Sequence, residues 1–247
     1  MILLIFVIYI ILFLLSLYYY NIYEGKTFYY DKSFVITLPD HDEKYEYVKK
    51  KMEENNMKVT KWNAIDTRRE KYKMYKNTID TKSLHKLQKT IQTKKRELHE
   101  DLTPGAVGCY LSHLSIYEHA LNSNLKQIFV LEDDTLFPNN FRQEFIQKIK
   151  NVPKDWDILL LNWIPNRYIP YNKKWKKIKK FYMMNAYMIN KKGMEKILKL
   201  GIPIEKQIDS MLSDYSHKLN IYGISSFTFL RQRSHSTTIQ VFEPLEK

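Results

Sequence analysis

Ser33–Asp66 reads SFVITLPDHDEKYEYVKKKMEENNMKVTKWNAID. The apolar, β-branched run Ser33–Leu38 stops at Pro39, the pattern of a buried strand that ends in a turn. Glu43–Asn55 is made of good helix formers and sets Tyr45, Val48 and Met52 on one face. Met57–Asp66 then returns to an extended pattern. Strand, helix and strand within about 30 residues is the βαβ unit, whose crossover makes the two strands parallel.

The same alternation continues downstream. Leu102–Ser123 opens with Thr103-Pro104, an N-cap followed by proline at the first helical position, and carries a broad apolar stripe from Leu111 to Leu121. It feeds KQIFVLEDD (Lys126–Asp134), which reads as a central strand. Pro138–Lys150 is amphipathic, and Trp156–Asn162 (WDILLLN) is a second buried strand. Tyr171–Phe181 reads as a basic loop with one tryptophan, Tyr182–Asn190 as a strand, and Lys191–Gly201 as a helix with a glycine stop. Ile204–Leu219 reads as one more helix before short strands. Thr67–Asp101 is polar, basic and weakly periodic, the mark of a solvated surface insertion with HKLQKTIQTKKRELHE helical. The expectation is an α/β fold in one domain, residues 33–247, around a mixed, mainly parallel sheet.

The chain has 247 residues, of which 44% are hydrophobic, enough for a sizeable core and too apolar for disorder. Cys109 is the single cysteine, which excludes an intrachain disulfide framework and a multi-cysteine metal site. Lys and Arg exceed Asp and Glu by 40 to 27, a net charge of +13 compatible with a polyanion, an acidic membrane surface or a phosphorylated substrate. No zinc-finger, basic-zipper or RNA-recognition signature accompanies it, so specific nucleic-acid binding is not expected. Met1–Leu17 has no charged side chain and Tyr18–Tyr20 follow as an aromatic belt. A basic leader and a small-residue cleavage site are both absent from this stretch, so residues 1–20 read as an uncleaved single-pass membrane anchor, with residues 21–32 as a stalk. Lys26 and Lys32 lean the C-terminal domain toward the cytosol, and the side stays open.

Glu132, Asp133 and Asp134 stand at the carboxyl end of the central strand, where open α/β sheets bind their ligands. Such a triplet is a solvated turn, a helix cap or a site for a hard cation such as Mg²⁺ or Mn²⁺, which carboxylates hold together with substrate phosphates. LTPGAVGCYLSHLSIYEHAL followed by IFVLEDD closely resembles the signature of glycosyltransferase family 25, in which a helix of the type LTxGExGCxxSH precedes an LEDD strand. FVITL, WNAID, NAYMINKKGMEKIL and PIEKQID also resemble that family's segments, so the likeness runs over about Ser33–Ile239 with a gap at the basic insertion.

The resemblance implies a GT-A-like fold and transfer of a sugar, galactose or another hexose, from a UDP-sugar to a hydroxyl of a glycan, lipid or protein, with inversion. It implies Asp134 as metal ligand, with Glu132 at a second metal position or, like Asp133, on the ribose. Asp209 matches the family's PxD carboxylate and is either the general base or an ordinary helical acid. Ser112 and His113 would bind the nucleotide or brace the helix, and Thr37 and Asp66 lie where a uridine would sit. His235 is a weaker candidate third metal ligand, and Lys173–Lys180 a diphosphate clamp, a lipid contact or a solvated run. Two departures stand out. Ala106 replaces the family's acidic residue in GExGC, and DHDEKYEY leaves Lys44 as the only cation near the first strand. A catalytically silent, membrane-tethered binding or assembly protein is therefore the competing reading.

Overall fold

In β1 (Lys32–Thr37) and β3 (Gln127–Glu132) the interior residues are buried on both faces, which explains their unbroken apolar runs. Phe34, Ile36, Ile128 and Val130 point into one core layer; Val35, Phe129 and Leu131 point into the other. The computed structural model describes residues 9–16, 29–225 and 230–233. Helix α1 (Asp42–Glu54) covers the second layer with Val48 and Met52, and β2 (Thr60–Asn63) completes the expected βαβ unit in parallel register with β1.

The central sheet has six strands in the order β2-β1-β3-β6-β5-β7, where β5 is Ile158–Pro170, β6 Trp175–Asn190 and β7 Ile221–Ile224. Five strands run one way and β6 alone runs against them, so the sheet is mixed and mainly parallel, as expected. β4 (Thr135–Leu136) leaves the end of β3 and later pairs with β8 (Arg231–Gln232) in a two-stranded ribbon.

Two stretches differ from the sequence reading. Thr67–Asp101 is a wall, not a solvated insertion: a 3₁₀ helix (Arg69–Thr78) and α2 (Thr81–Thr93) bury Tyr72, Ile79 and Leu87 against the core that holds α3 (Pro104–Asn122). Among the described residues, only six of its 35 are buried, too few to show as a periodic pattern. The basic loop expected at Tyr171–Phe181 is mostly the first half of β6, with Trp175, Ile178 and Phe181 fully buried. Ile178 and Phe181 sit three apart because the β5–β6 register slips between them, so the strand does not show the simple period of two. The hairpin curls far enough that β7 pairs with Ile158–Leu160 of β5 on one edge and with Trp175–Lys177 of β6 on the other.

α4 (Phe141–Ile149), α5 (Lys191–Leu200) and α6 (Ile208–Asp214) complete the layers. Residues 9–16 are helical with exposed apolar side chains. No helix among the described residues is long and apolar enough to cross a membrane. Most of the expected anchor, its stalk and His235 lie outside the described residues.

α3 starts as its sequence dictates, with the Thr103 hydroxyl accepting the Ala106 N–H at 3.1 Å and Pro104 in the first turn. Four residues on from Pro104, Gly108 touches the loop after β2 so closely that a Cβ there would stand 2.3 Å from the Ile65 carbonyl and 2.4 Å from the Thr67 hydroxyl. Ser112 secures the same contact, donating to the Gly108 carbonyl at 2.6 Å and accepting the Ile65 N–H at 2.8 Å. Gly108→Ala should therefore cost about 1–3 kcal/mol of stability, read as a lower denaturant midpoint at unchanged slope. A midpoint equal to that of the wild type would mean that the helix has room to move away.

Candidate active site

The carboxyl ends of β1, β2 and β3 open into a cleft with two lobes. Thr37, Leu38, Asp66, Arg68 and Asp133 line the first; His99, Tyr182, Asn185, Asp209 and Gln232 line the second. Glu132 and Cys109 belong to both walls, so the strand-end acids sit where the lobes meet.

Each carboxylate of the triplet is held by a different part of the fold. Glu132 Oε1 lies 3.4 Å from His113 Nε2, and the His113 Nδ1 lies 2.7 Å from the Tyr187 hydroxyl, which is 2.5 Å from that of Tyr117. Asp133 Oδ2 accepts the Thr37 hydroxyl at 2.8 Å and lies 3.3 Å from His41 Nδ1. Asp134 is the most enclosed, 5% exposed; its Oδ1 accepts from Asn185 at 3.3 Å and its Oδ2 from Gln232 at 2.7 Å. Burial first, and then the Glu132 charge, push the Asp134 carboxyl up to about 7. Burial also raises Asp133, against the opposing hydrogen bond from Thr37.

Asp209 stands in the first turn of α6 and faces the second lobe. Its Oδ1 accepts the Ser210 N–H at 2.6 Å and its Oδ2 the Met183 N–H at 2.9 Å. Burial raises its carboxyl despite these donors. The Met183 bond depends on a bulge: the β5–β6 register passes from Asn162↔Ala186 to Ile164↔Tyr182, giving β6 two extra residues. Met183 takes φ 68° there, a left-handed conformation that costs a side-chain-bearing residue about 1–3 kcal/mol. The bulge turns the Met183 N–H onto Asp209, and the Asn185 side chain, two residues on, reaches Asp134.

The remaining candidates divide. Thr37 lines the first lobe but gives its hydroxyl to Asp133. Asp66 lines it too, with its carboxylate held by Arg68 Nε at 2.8 Å and Lys71 Nζ at 2.6 Å; the Arg68 guanidinium keeps it far below the usual carboxylate range. Ser112 and His113 are fully buried, and Ser112 braces α3 against the loop after β2. Lys173–Lys180 lies along the hairpin: Lys174 Nζ donates to the Gln147 carbonyl at 2.6 Å and Lys176 sits 4.2 Å over the Tyr168 ring. Sequence reasoning missed Arg68, His99, Asn185 and Gln232. Arg68 and His99 come from the stretch read as a surface insertion, and Gln232 comes from a two-residue strand with no pattern to show.

The donor chemistry fits a divalent cation near Glu132 and Asp134, because two carboxylates in an enclosed site repel each other and offer hard oxygens. Among the described residues, the group of histidine, cysteine and acid ligands that lies within 4.8 Å is a different one, Cys109, His113 and Glu132.

The chain is 41% identical over 63 residues to the probable inactive glycosyltransferase 25 family member 3 of Bos taurus, covering 24% of this chain and 11% of that one. It is 23% identical over 137 residues to procollagen galactosyltransferase 2 of Homo sapiens, covering 53% and 20%. The match therefore spans a fifth or less of these relatives' lengths. A solved glycosyltransferase involved in the glycosylation of the major capsid of PBCV-1 matches over 69% of this chain and 65% of that one, at 10% identity and a TM-score of 0.36. The sequence profile of Glycosyltransferase family 25 (LPS biosynthesis protein) matches residues 30–212. On the extent of that match, the chain belongs to glycosyltransferase family 25.

Proposed function

We propose that the chain transfers a hexose from a UDP-sugar to an acceptor hydroxyl with inversion, with the donor in the first lobe and the acceptor in the second. The observation that carries this reading is the position of Glu132 in the wall shared by both lobes, with Asp209 facing the second. A reaction between two bound molecules needs them held in neighbouring compartments with the reacting groups at the junction.

The contacts support one assignment of roles. Asp134 and Glu132 would hold Mn²⁺ or Mg²⁺, which when bound neutralises a departing diphosphate. Thr37, Asp66 and Arg68 shape the nucleotide lobe, and Asp133 is steadied by Thr37 and His41. Asp209 accepts the proton of the acceptor hydroxyl as its oxygen bonds to the anomeric carbon and the bond to the diphosphate breaks. Its raised carboxyl makes it a better base than a solvated aspartate, and its two backbone bonds fix its aim.

The silent reading has its own support. Relatives named as inactive match at 40–41% identity, and Ala106, where the family carries an acid, lines the second lobe. Nucleotide-dependent turnover separates the two. On the transferase reading, UDP-sugars with Mn²⁺ raise the melting temperature and are turned over. If no UDP-, GDP- or CMP-sugar shifts the melting temperature in a metal-dependent way, the transferase reading fails.

Asp209→Asn should lower transfer by about 10²–10⁴ while keeping the metal-dependent stabilisation by UDP. Loss of UDP binding together with transfer would remove Asp209 from the base role. Asp134 yields a pH-linked prediction. Its carboxyl is raised from an ordinary 3.8 to about 7, so the folded protein binds the extra proton between those values and loses that stability as pH rises through about 7. Asp134→Asn removes the buried charge and should raise the stability of the metal-free protein at pH 8 by roughly 1–3 kcal/mol. The same variant should abolish Mn²⁺-dependent stabilisation by UDP. In the wild type that stabilisation should grow from pH 6 to pH 8. A pH-independent response, or one retained in Asp134→Asn, would assign the cation to other ligands.

A further inference from the structure

Cys109 and His113 stand four residues apart on α3, the spacing that brings two side chains to one helix face. Glu132 meets them from the end of β3, and the ligating atoms of the three lie within 4.8 Å of one another.

Two further observations point to an ion rather than a packing contact. The His113 Nε2 to Glu132 Oε1 distance is 3.4 Å. That is long for a hydrogen bond between ring nitrogen and carboxylate, which runs about 2.7–3.2 Å. Two ligands at about 2.0–2.2 Å from a tetrahedral ion lie about 3.3–3.6 Å apart, which is the spacing found. The second observation is the support behind the ring. His113 is fully buried, and its other nitrogen, Nδ1, is 2.7 Å from the Tyr187 hydroxyl, which is backed by Tyr117. With the ring proton on Nδ1 and donated to Tyr187, Nε2 presents its lone pair to Cys109 and Glu132. Metal-bound histidines are oriented by an outer partner of this kind.

We propose that Cys109, His113 and Glu132 form a site for a borderline-soft divalent cation of the Zn²⁺ type, distinct in its donors from the hard-cation position at Asp134. Sulfur, imidazole nitrogen and one carboxylate are a donor set that Zn²⁺ accepts and Mg²⁺ does not. Cys109 and Glu132 line both lobes, so an ion reaches the site from the cleft and has an open fourth position there. Because Glu132 serves both positions, Zn²⁺ bound here competes for it with a cation on Asp134. The binding itself is independent of whether the chain is an active transferase.

The test is a Zn²⁺ titration of the reduced, metal-free full chain against a chromophoric chelator, with Co²⁺ as the spectroscopic probe. Cys109 is the single cysteine, so a thiolate-to-Co²⁺ charge-transfer band in the near ultraviolet has one source. The expected result is one Zn²⁺ equivalent and that band. Cys109→Ser or Cys109→Ala should abolish the band and weaken Zn²⁺ at least about tenfold, as should Glu132→Gln for affinity. Asp134→Asn should change Zn²⁺ affinity less than about threefold while removing the Mn²⁺-dependent UDP response, so the two sites fail separately. Co²⁺ bound without the charge-transfer band, or Zn²⁺ affinity that follows Asp134→Asn and ignores the Cys109 variants, would overturn the proposal.

Discussion

The contact between Gly108 and the Ile65 carbonyl sets the geometry of the cleft. α3 packs on the loop after β2 at a distance that leaves no space for a Cβ at Gly108, and Ser112 hydrogen-bonds both sides of the contact. Once the helix is held there, Cys109, the next residue, and His113, one turn further on, are carried to the end of β3. A helix shifted outward by one methyl group would open the wall shared by the two lobes. Close-packed interiors yield little to such shifts, so one glycine and one serine decide where two lobes meet.

From that position the three acids take separate roles by simple alternation. Successive residues leaving a strand point to opposite sides, so Glu132 faces the helix side and Asp133 the β1 loop. Asp134 falls between β6 and β8. Its enclosure raises its carboxyl, and the neighbouring Glu132 charge adds to the effect. Stability is spent here twice, on an enclosed pair of like charges and on Met183 in a left-handed conformation. Costs of this kind concentrate where binding or chemistry requires them.

Much of the fold was legible because its signals are local. The βαβ unit shows in consecutive residues, α3 is announced by Thr103-Pro104, and the acids stand directly after an apolar run. What was not legible depends on pairing at a distance. The β5–β6 bulge has no sequence mark, because register is a property of two strands rather than one. KKWKKIKK looked like a solvated loop, since its lysines extend outward along a curled hairpin while Trp175 and Ile178 fill the core. Arg68 and His99 were hidden for a similar reason. They belong to a segment whose composition is that of a surface but whose few apolar residues anchor it beside the cleft.

The distribution of charge gives an independent reason for a cation in this site. A chain with a net charge of +13 has ample lysine and arginine to bind a diphosphate directly. Among the described residues, few of them line the cleft. Its lining acids are Asp66, Glu132, Asp133 and Asp209, against Arg68 as the lining arginine or lysine. Arg68 is engaged by Asp66 at 2.8 Å and by Asp40 at 3.0 Å. An anionic donor approaching such a surface meets like charge, which in an enclosed site is screened far less than in water. On the proposed reading, in which the donor is a nucleotide-sugar, a divalent ion at the acid triplet would offset this like charge.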